Sequence, residues 1–133
     1  EDRKKISSRV AMEQCVQTST TFASWVEKAK KDFVLMKDAL KEADFEKIGE
    51  ITESNALAMH ETTTTSSPSF TFLTEESHRA MDIVKQLRSQ GYRCYFTMDA
   101  GPNVKVLYLK EDQDKLYKEI SKLWNKKIIL CME

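Results

Sequence analysis

The sequence predicts an α+β domain in which helices pack on one face of a small antiparallel sheet, and three observations carry that prediction. Up to Gly91, apolar residues recur at spacings of three and four, the period of a helix with one buried stripe. After Gly91 the period falls to two: Tyr92, Cys94, Phe96 and Met98 alternate with Arg93, Tyr95, Thr97 and Asp99. Helical spacing then returns at Leu116, Ile120 and Leu123, before the apolar run Ile128-Ile129-Leu130-Cys131. Helices followed by a meander and a helix-strand unit are the pattern of an α+β layer. With 133 residues the chain has the length of one domain. It can bury roughly two-thirds of its unfolded surface without staples, and it contains no internal repeat or composition break.

The elements follow in order. Ser7 or Ser8 caps a first helix that turns Val10 or Ala11, Cys15 and Val16 inward. A long second helix is expected between Thr20 and Ala43, with Phe22, Val26, Ala29, Phe33, Met36, Leu40 and Ala43 as its buried stripe. Asp44 caps a third helix to Met59, with Phe45, Ile48, Thr52, Asn55, Ala56 and Met59 on one face. The hydroxyl-rich stretch from Glu61 to Ser69 is β-branched and low in complexity, so it reads as a surface loop. Thr74 caps a helix built on Leu73, Ser77, Ala80, Val84 and Leu87, flanked by Met81 and Ile83, and Gly91 ends it. Two strands flank the turn Ala100-Gly101-Pro102-Asn103, and the second carries Val104, Val106 and Tyr108. A charged helix presents Leu116, Ile120 and Leu123 beside Tyr117 and Trp124. Ile128–Cys131 is expected as a third strand and Arg3–Ile6 as a fourth.

Composition narrows the function classes. Lys and Arg number 21 and so do Asp and Glu. This balance gives no electrostatic reason to expect a nucleic acid or an anionic membrane as partner. Three cysteines, Cys15, Cys94 and Cys131, are odd in number and lack C-x-x-C spacing, which fits buried thiols in a reducing cytosol. A cytoplasmic location is therefore expected. No apolar run approaches the roughly 20 residues of a membrane span. The three glycines, Gly49, Gly91 and Gly101, are too scattered to build a Gly-rich phosphate loop. His60 and His78 lack the spacing of a metal pair, so no metal site is expected.

Two places carry chemistry. Asp99 ends a strand and enters a turn stiffened by Gly101 and Pro102, which would hold its carboxylate on a rigid element beyond the sheet. The same residue type in that position also bonds the turn backbone through its side chain, and the residues alone leave both roles open. Near the start, Lys4-Lys5-Ile6-Ser7-Ser8-Arg9 places amides, hydroxyls and a guanidinium where a strand meets a helix. That is either an anion site or a capped helix after a basic strand. Asn55 on a buried face must find hydrogen-bond partners, in a structural network or at a polar cavity.

Four strings carry a resemblance. Thr97-Met98-Asp99-Ala100-Gly101-Pro102-Asn103-Val104-Lys105 resembles the signature of the mevalonate diphosphate decarboxylases. In the same order, Lys4 to Met12 resembles the family's K-K-x-S-S-R-x-G-M segment, and Gly49-Glu50 with Glu53 to His60 its G-E…E-x-N-x-L-x-M-H helix. Ser67 to Leu73 resembles its P-P-F-T-Y-L turn. The sequence departs from that pattern at Val10-Ala11 and through Thr62–Ser67.

The resemblance implies the C-terminal, ferredoxin-like domain of a two-domain enzyme of the GHMP superfamily. The ATP-binding N-terminal half would lie outside this chain, which accounts for the missing initiator Met and phosphate loop and leaves the isolated chain inactive. It implies the conversion of mevalonate 5-diphosphate to isopentenyl diphosphate, with ADP, phosphate and CO2 released, in the isoprenoid branch of lipid metabolism. ATP and Mg2+ would be bound mainly by that N-terminal domain. By the matched positions Asp99 would be the catalytic carboxylate and Arg9, Ser8 and Met12 would meet the substrate. Asn55, His60 and Gly101 would support them from behind. Expected partners are the substrate, the enzyme's own N-terminal domain and a second copy in a homodimer. A related GHMP small-molecule kinase and a non-catalytic α+β interaction module are the alternatives.

Overall fold

The fold, obtained as a computed structural model, is described over residues 7–131. Helices α1 (Ser8–Thr18), α2 (Phe22–Lys41), α3 (Phe45–Thr64) and α4 (Glu75–Ser89) precede a hairpin of β1 (Cys94–Thr97) and β2 (Lys105–Tyr108). A 3-10 turn at Lys110–Asp112 then leads into α5 (Gln113–Leu123). The architecture is the α+β one expected. The strands are antiparallel, with Cys94 opposite Tyr108 and Thr97 opposite Lys105.

The local signals act as read. Ser7 accepts from the Val10 amide and Asp44 from the Lys47 amide, while Thr74 and Ser77 form a reciprocal capping box. Gly91 takes the left-handed backbone, φ 98°, that ends α4. The core joins Ala56 of α3, Met81, Val84 and Leu87 of α4, Cys94 and Phe96 of β1, and Leu116 of α5. Burial there pushes the Cys94 thiol up to about 11, so it packs as a small hydrophobe.

Four expectations change. The stripe predicted for α2 is out of phase: Phe33 is 66% and Leu40 60% exposed, whereas Asp32 and Ala39 are the buried residues. Small Ala39 allows close approach to α3, and Asp32 is accepted inside because Lys28 and Asn55 both bond its carboxylate. In α1, Ala11 and Cys15 point inward, but Val16 is exposed with Val10. The Thr run is not a surface loop. It continues α3 to Thr64 and buries Thr62 and Thr63 completely. Each hydroxyl turns back on its own helix, Thr62 Oγ1 to the Met59 carbonyl at 2.6 Å and Thr63 Oγ1 to that of His60 at 2.6 Å. These bonds satisfy polar groups that burial would otherwise orphan. Finally, Ile128–Cys131 forms no strand and Ile129 is 75% exposed, while Arg3–Ile6 lies outside the described residues. No helix of the described residues is long and apolar enough to cross a membrane.

Candidate active site

Asp99 stands two residues beyond β1, and the turn that carries it is held from two sides. Met98 is buried and anchors the strand end in the core. The Asp99 carbonyl accepts from His60 Nε2 of α3 at 2.9 Å and from the Gly101 amide at 2.8 Å. Three residues on, the Pro102 carbonyl accepts from Ser77 Oγ at the start of α4, at 2.5 Å. The backbone is thus fixed while the side chain stays 71% exposed. Its Oδ2 accepts from Lys105 Nζ at 3.1 Å across the hairpin. Gly101 is buried and is not in the left-handed region. A Cβ there would lie 3.7 Å from Asp99 Oδ1, so the glycine keeps room beside the carboxylate.

His60 is 4% exposed. Because its Nε2 faces a carbonyl, which only accepts, that nitrogen carries the hydrogen and Nδ1 is the bare acceptor. Nδ1 is buried and has no hydrogen-bond partner. Protonating it would bury an unpaired donor. Burial therefore lowers the pKa of the ring, against the raising effects of the Asp99 backbone bond and carboxylate charge. His60 is a neutral, single-tautomer strut under the Asp99 turn.

The second group lies on α1. Ser8 is the first helical residue after the Ser7 cap, Met12 is half-buried, and the Arg9 side chain is 88% exposed beside Glu13 at 3.7 Å. Exposed pairs of this kind contribute little, so a dianion can draw the guanidinium away. Two of the three expected supports, both on α3, separate here. His60 reaches the Asp99 turn. Asn55 instead donates to Asp32 Oδ2 at 3.0 Å, in the network between α2 and α3.

Sequence reasoning missed Lys105 and Ser77 as site residues. Hairpin register, which sets Lys105 beside Asp99, and the serine three places after the Thr74 cap were the available signals. It also missed Glu53, buried on α3 and held by both Arg88 nitrogens at 2.8 and 3.1 Å. Arg88 lies over the Tyr95 ring at 4.8 Å and donates to the Cys94 carbonyl, tying α3 and α4 to β1. Among the described residues no three His, Cys, Asp or Glu side chains are grouped to hold a metal ion.

The chain is thus an α+β domain that holds an exposed carboxylate on a doubly braced turn and carries an exposed arginine at the start of its first helix. Comparison with known proteins then names the family. Residues 1–130 match the mevalonate 5-diphosphate decarboxylase C-terminal domain, and the chain belongs to that family. The structure of mevalonate pyrophosphate decarboxylase from Streptococcus pyogenes is similar with a TM-score of 0.91 and 53% identity, covering 97% of this chain and 40% of that one. A structure described as MDDEF in complex with MVAPP, AMPPCP and magnesium is similar with a TM-score of 0.89 and 43% identity, covering 93% and 38%. The diphosphomevalonate decarboxylase of Candida albicans is 31% identical over 117 residues, 87% of this chain and 32% of that protein. That of Saccharomyces cerevisiae is 31% identical, over 94% of this chain and 34% of its own length. The chain therefore spans about a third of the curated relatives it matches.

Proposed function

We propose that this chain is the C-terminal, substrate-facing domain of an ATP-dependent decarboxylase that converts mevalonate 5-diphosphate to isopentenyl diphosphate, ADP, phosphate and CO2. The observation that carries the reading is the Asp99 turn: a carboxylate exposed to solvent while its backbone is locked by His60 and Ser77. A tertiary alcohol is a poor nucleophile. Asp99, fixed within reach of the 3-hydroxyl, takes the hydroxyl proton as the oxygen is phosphorylated. Once that proton has passed from the exposed side chain to solvent, the restored negative charge faces the carbon on which positive charge develops when phosphate departs. Arg9 grips anionic oxygens of the substrate with its planar fork, Ser8 adds a hydroxyl at the helix start, and Met12 lines the pocket. Lys105 keeps the carboxylate oriented until substrate arrives.

ATP, with Mg2+, supplies the phosphoryl group and is held mainly by an N-terminal domain outside this chain. The three cysteines are free, Cys15 and Cys94 buried as expected and Cys131 exposed against that expectation; the two buried thiols accord with work in a reducing cytoplasm.

In the complete enzyme, Asp99→Asn keeps the size of the side chain and removes its charge. It should lower turnover by at least about a hundredfold with nucleotide affinity nearly unchanged. Near-normal turnover would remove Asp99 from the chemistry. Measuring CO2 release against ADP formation separates decarboxylation from a kinase that stops at the phosphorylated product.

A further inference from the structure

We propose that Gln14 and Thr18 of α1, with the residue 65–68 segment beyond α3, form a polar bracket that sets where Arg9 stands relative to Asp99, making Gln14 and Thr18 positioning residues for the anionic end of the substrate. The inference rests on the roles assigned above to Arg9 and Asp99. Its starting point is how little apolar surface anchors α1. That helix buries only Ala11 and Cys15, both small, and leaves Val10 and Val16 more than half exposed.

Hydrogen bonds supply the attachment instead. Gln14 Nε2 donates to the Pro68 carbonyl at 2.7 Å and to Ser66 Oγ at 3.3 Å. Thr18 Oγ1 accepts from the Ser67 amide at 2.9 Å and donates to the Gln14 carbonyl at 2.7 Å. Just past the helix, the hydroxyl of Thr65 lies 2.8 Å from those of both Ser19 and Thr21. The far side of the bracket is anchored on α3: Ser66 Oγ donates to the Thr63 carbonyl at 2.8 Å, and His60, one turn earlier, holds the Asp99 carbonyl. A continuous set of bonds therefore runs from the helix that carries Arg9 to the turn that carries Asp99. Arg9 stands five residues before Gln14, about 7.5 Å along the helix axis, so a tilt released at Gln14 displaces the guanidinium. This gives the Thr/Ser segment a purpose that composition did not reveal.

The test is steady-state kinetics of the full-length enzyme, with mevalonate 5-diphosphate varied at saturating ATP. Gln14→Met and Thr18→Val keep size and remove the bonds. Each should raise the substrate KM about three- to tenfold, the scale of one or two lost hydrogen bonds, with kcat within about twofold. Thr18→Ser, which keeps the hydroxyl, should restore the KM. Arg9→Lys should raise KM by itself, and adding Gln14→Met to it should raise KM little further, because Gln14 acts through Arg9. An unchanged KM in both bracket variants, or effects that simply multiply with Arg9→Lys, overturns the proposal while leaving Arg9 in place. A fall in melting temperature and kcat without a KM change assigns the bracket to stability alone and also overturns it. If Arg9→Lys itself leaves KM unaltered, the role of Arg9 falls and the proposal falls with it.

Discussion

Replacing Gly49 by alanine would drive a methyl group into the Tyr95 ring. A Cβ built on Gly49 lies 2.1 Å from Cδ2, 2.3 Å from Cγ and 2.4 Å from Cε2 of that ring. Carbon atoms pack at about 3.5–4.0 Å, so the ring must retreat by more than about 1 Å. It has little room to do so. Tyr95 is 7% exposed, Phe45 meets its edge with centroids 5.7 Å apart, and Arg88 lies over its face. Arg88 is itself tied to buried Glu53, so a moving ring disturbs that pair as well. Overpacking of this kind costs about 1–3 kcal/mol, and the rigid surround places the cost near the top of that range. Alanine in a helix interior returns about 0.5–1 kcal/mol relative to glycine. The net expectation is a loss of about 2 kcal/mol. In urea denaturation that is a midpoint shift of about 1 M, for a slope of about 2 kcal/mol per M. The decisive control removes the ring. In a Tyr95→Ala background the clash is gone, and Gly49→Ala should become neutral or stabilising. A cost below about 0.5 kcal/mol in the wild type, or a cost that persists without the ring, would refute the packing argument.

Two further predictions concern His60 and Ala43. The pKa of His60 is lower in the fold than its ordinary 6.5. As pH falls below that value the unfolded chain takes a proton that the folded chain does not, so stability is lost on acidification until the folded pKa is passed. The unfolding midpoint should therefore drop between about pH 7 and 5 more steeply for the wild type than for His60→Gln; equal slopes would show that the ring is not held neutral. Ala43 adopts φ 53° in the link between α2 and α3, where glycine is at ease. Ala43→Gly should stabilise the protein by up to about 1 kcal/mol, read from the same urea midpoint; a loss would show that the alanine methyl contributes packing.

Much of the fold was legible because its signals are local. Caps at Ser7, Asp44 and Thr74, the glycine after α4 and the alternation around the hairpin each depend on a few neighbouring residues, and each acts as read. The misreadings share a cause. The apolar stripe of α2 is genuine, but which flank faces α3 depends on where small Ala39 and the Asp32–Asn55 bond permit close approach. The Thr run looked unlike a helix because threonine propensity is weak. Hydroxyl bonds back to the preceding turn, and burial against the rest of the fold, override that preference.

For the site, the Asp99 string and the Ser8-Arg9 start are visible as strings, since residue type and spacing determine what chemistry they can perform. Only the tertiary structure decided what supports them. His60 and Asn55 share one helix segment and looked equivalent, yet one lies under the Asp99 turn and the other bonds Asp32, because five residues along a helix leave their side chains about 140° apart around the axis. Lys105, Ser77, Gln14 and Thr18 enter through partners distant along the chain or across the hairpin. The sequence by itself determined the α+β class and the family, and it marked the groups proposed to react. Which side chains brace those groups is a matter of packing between segments far apart in the chain, and no local pattern encodes it.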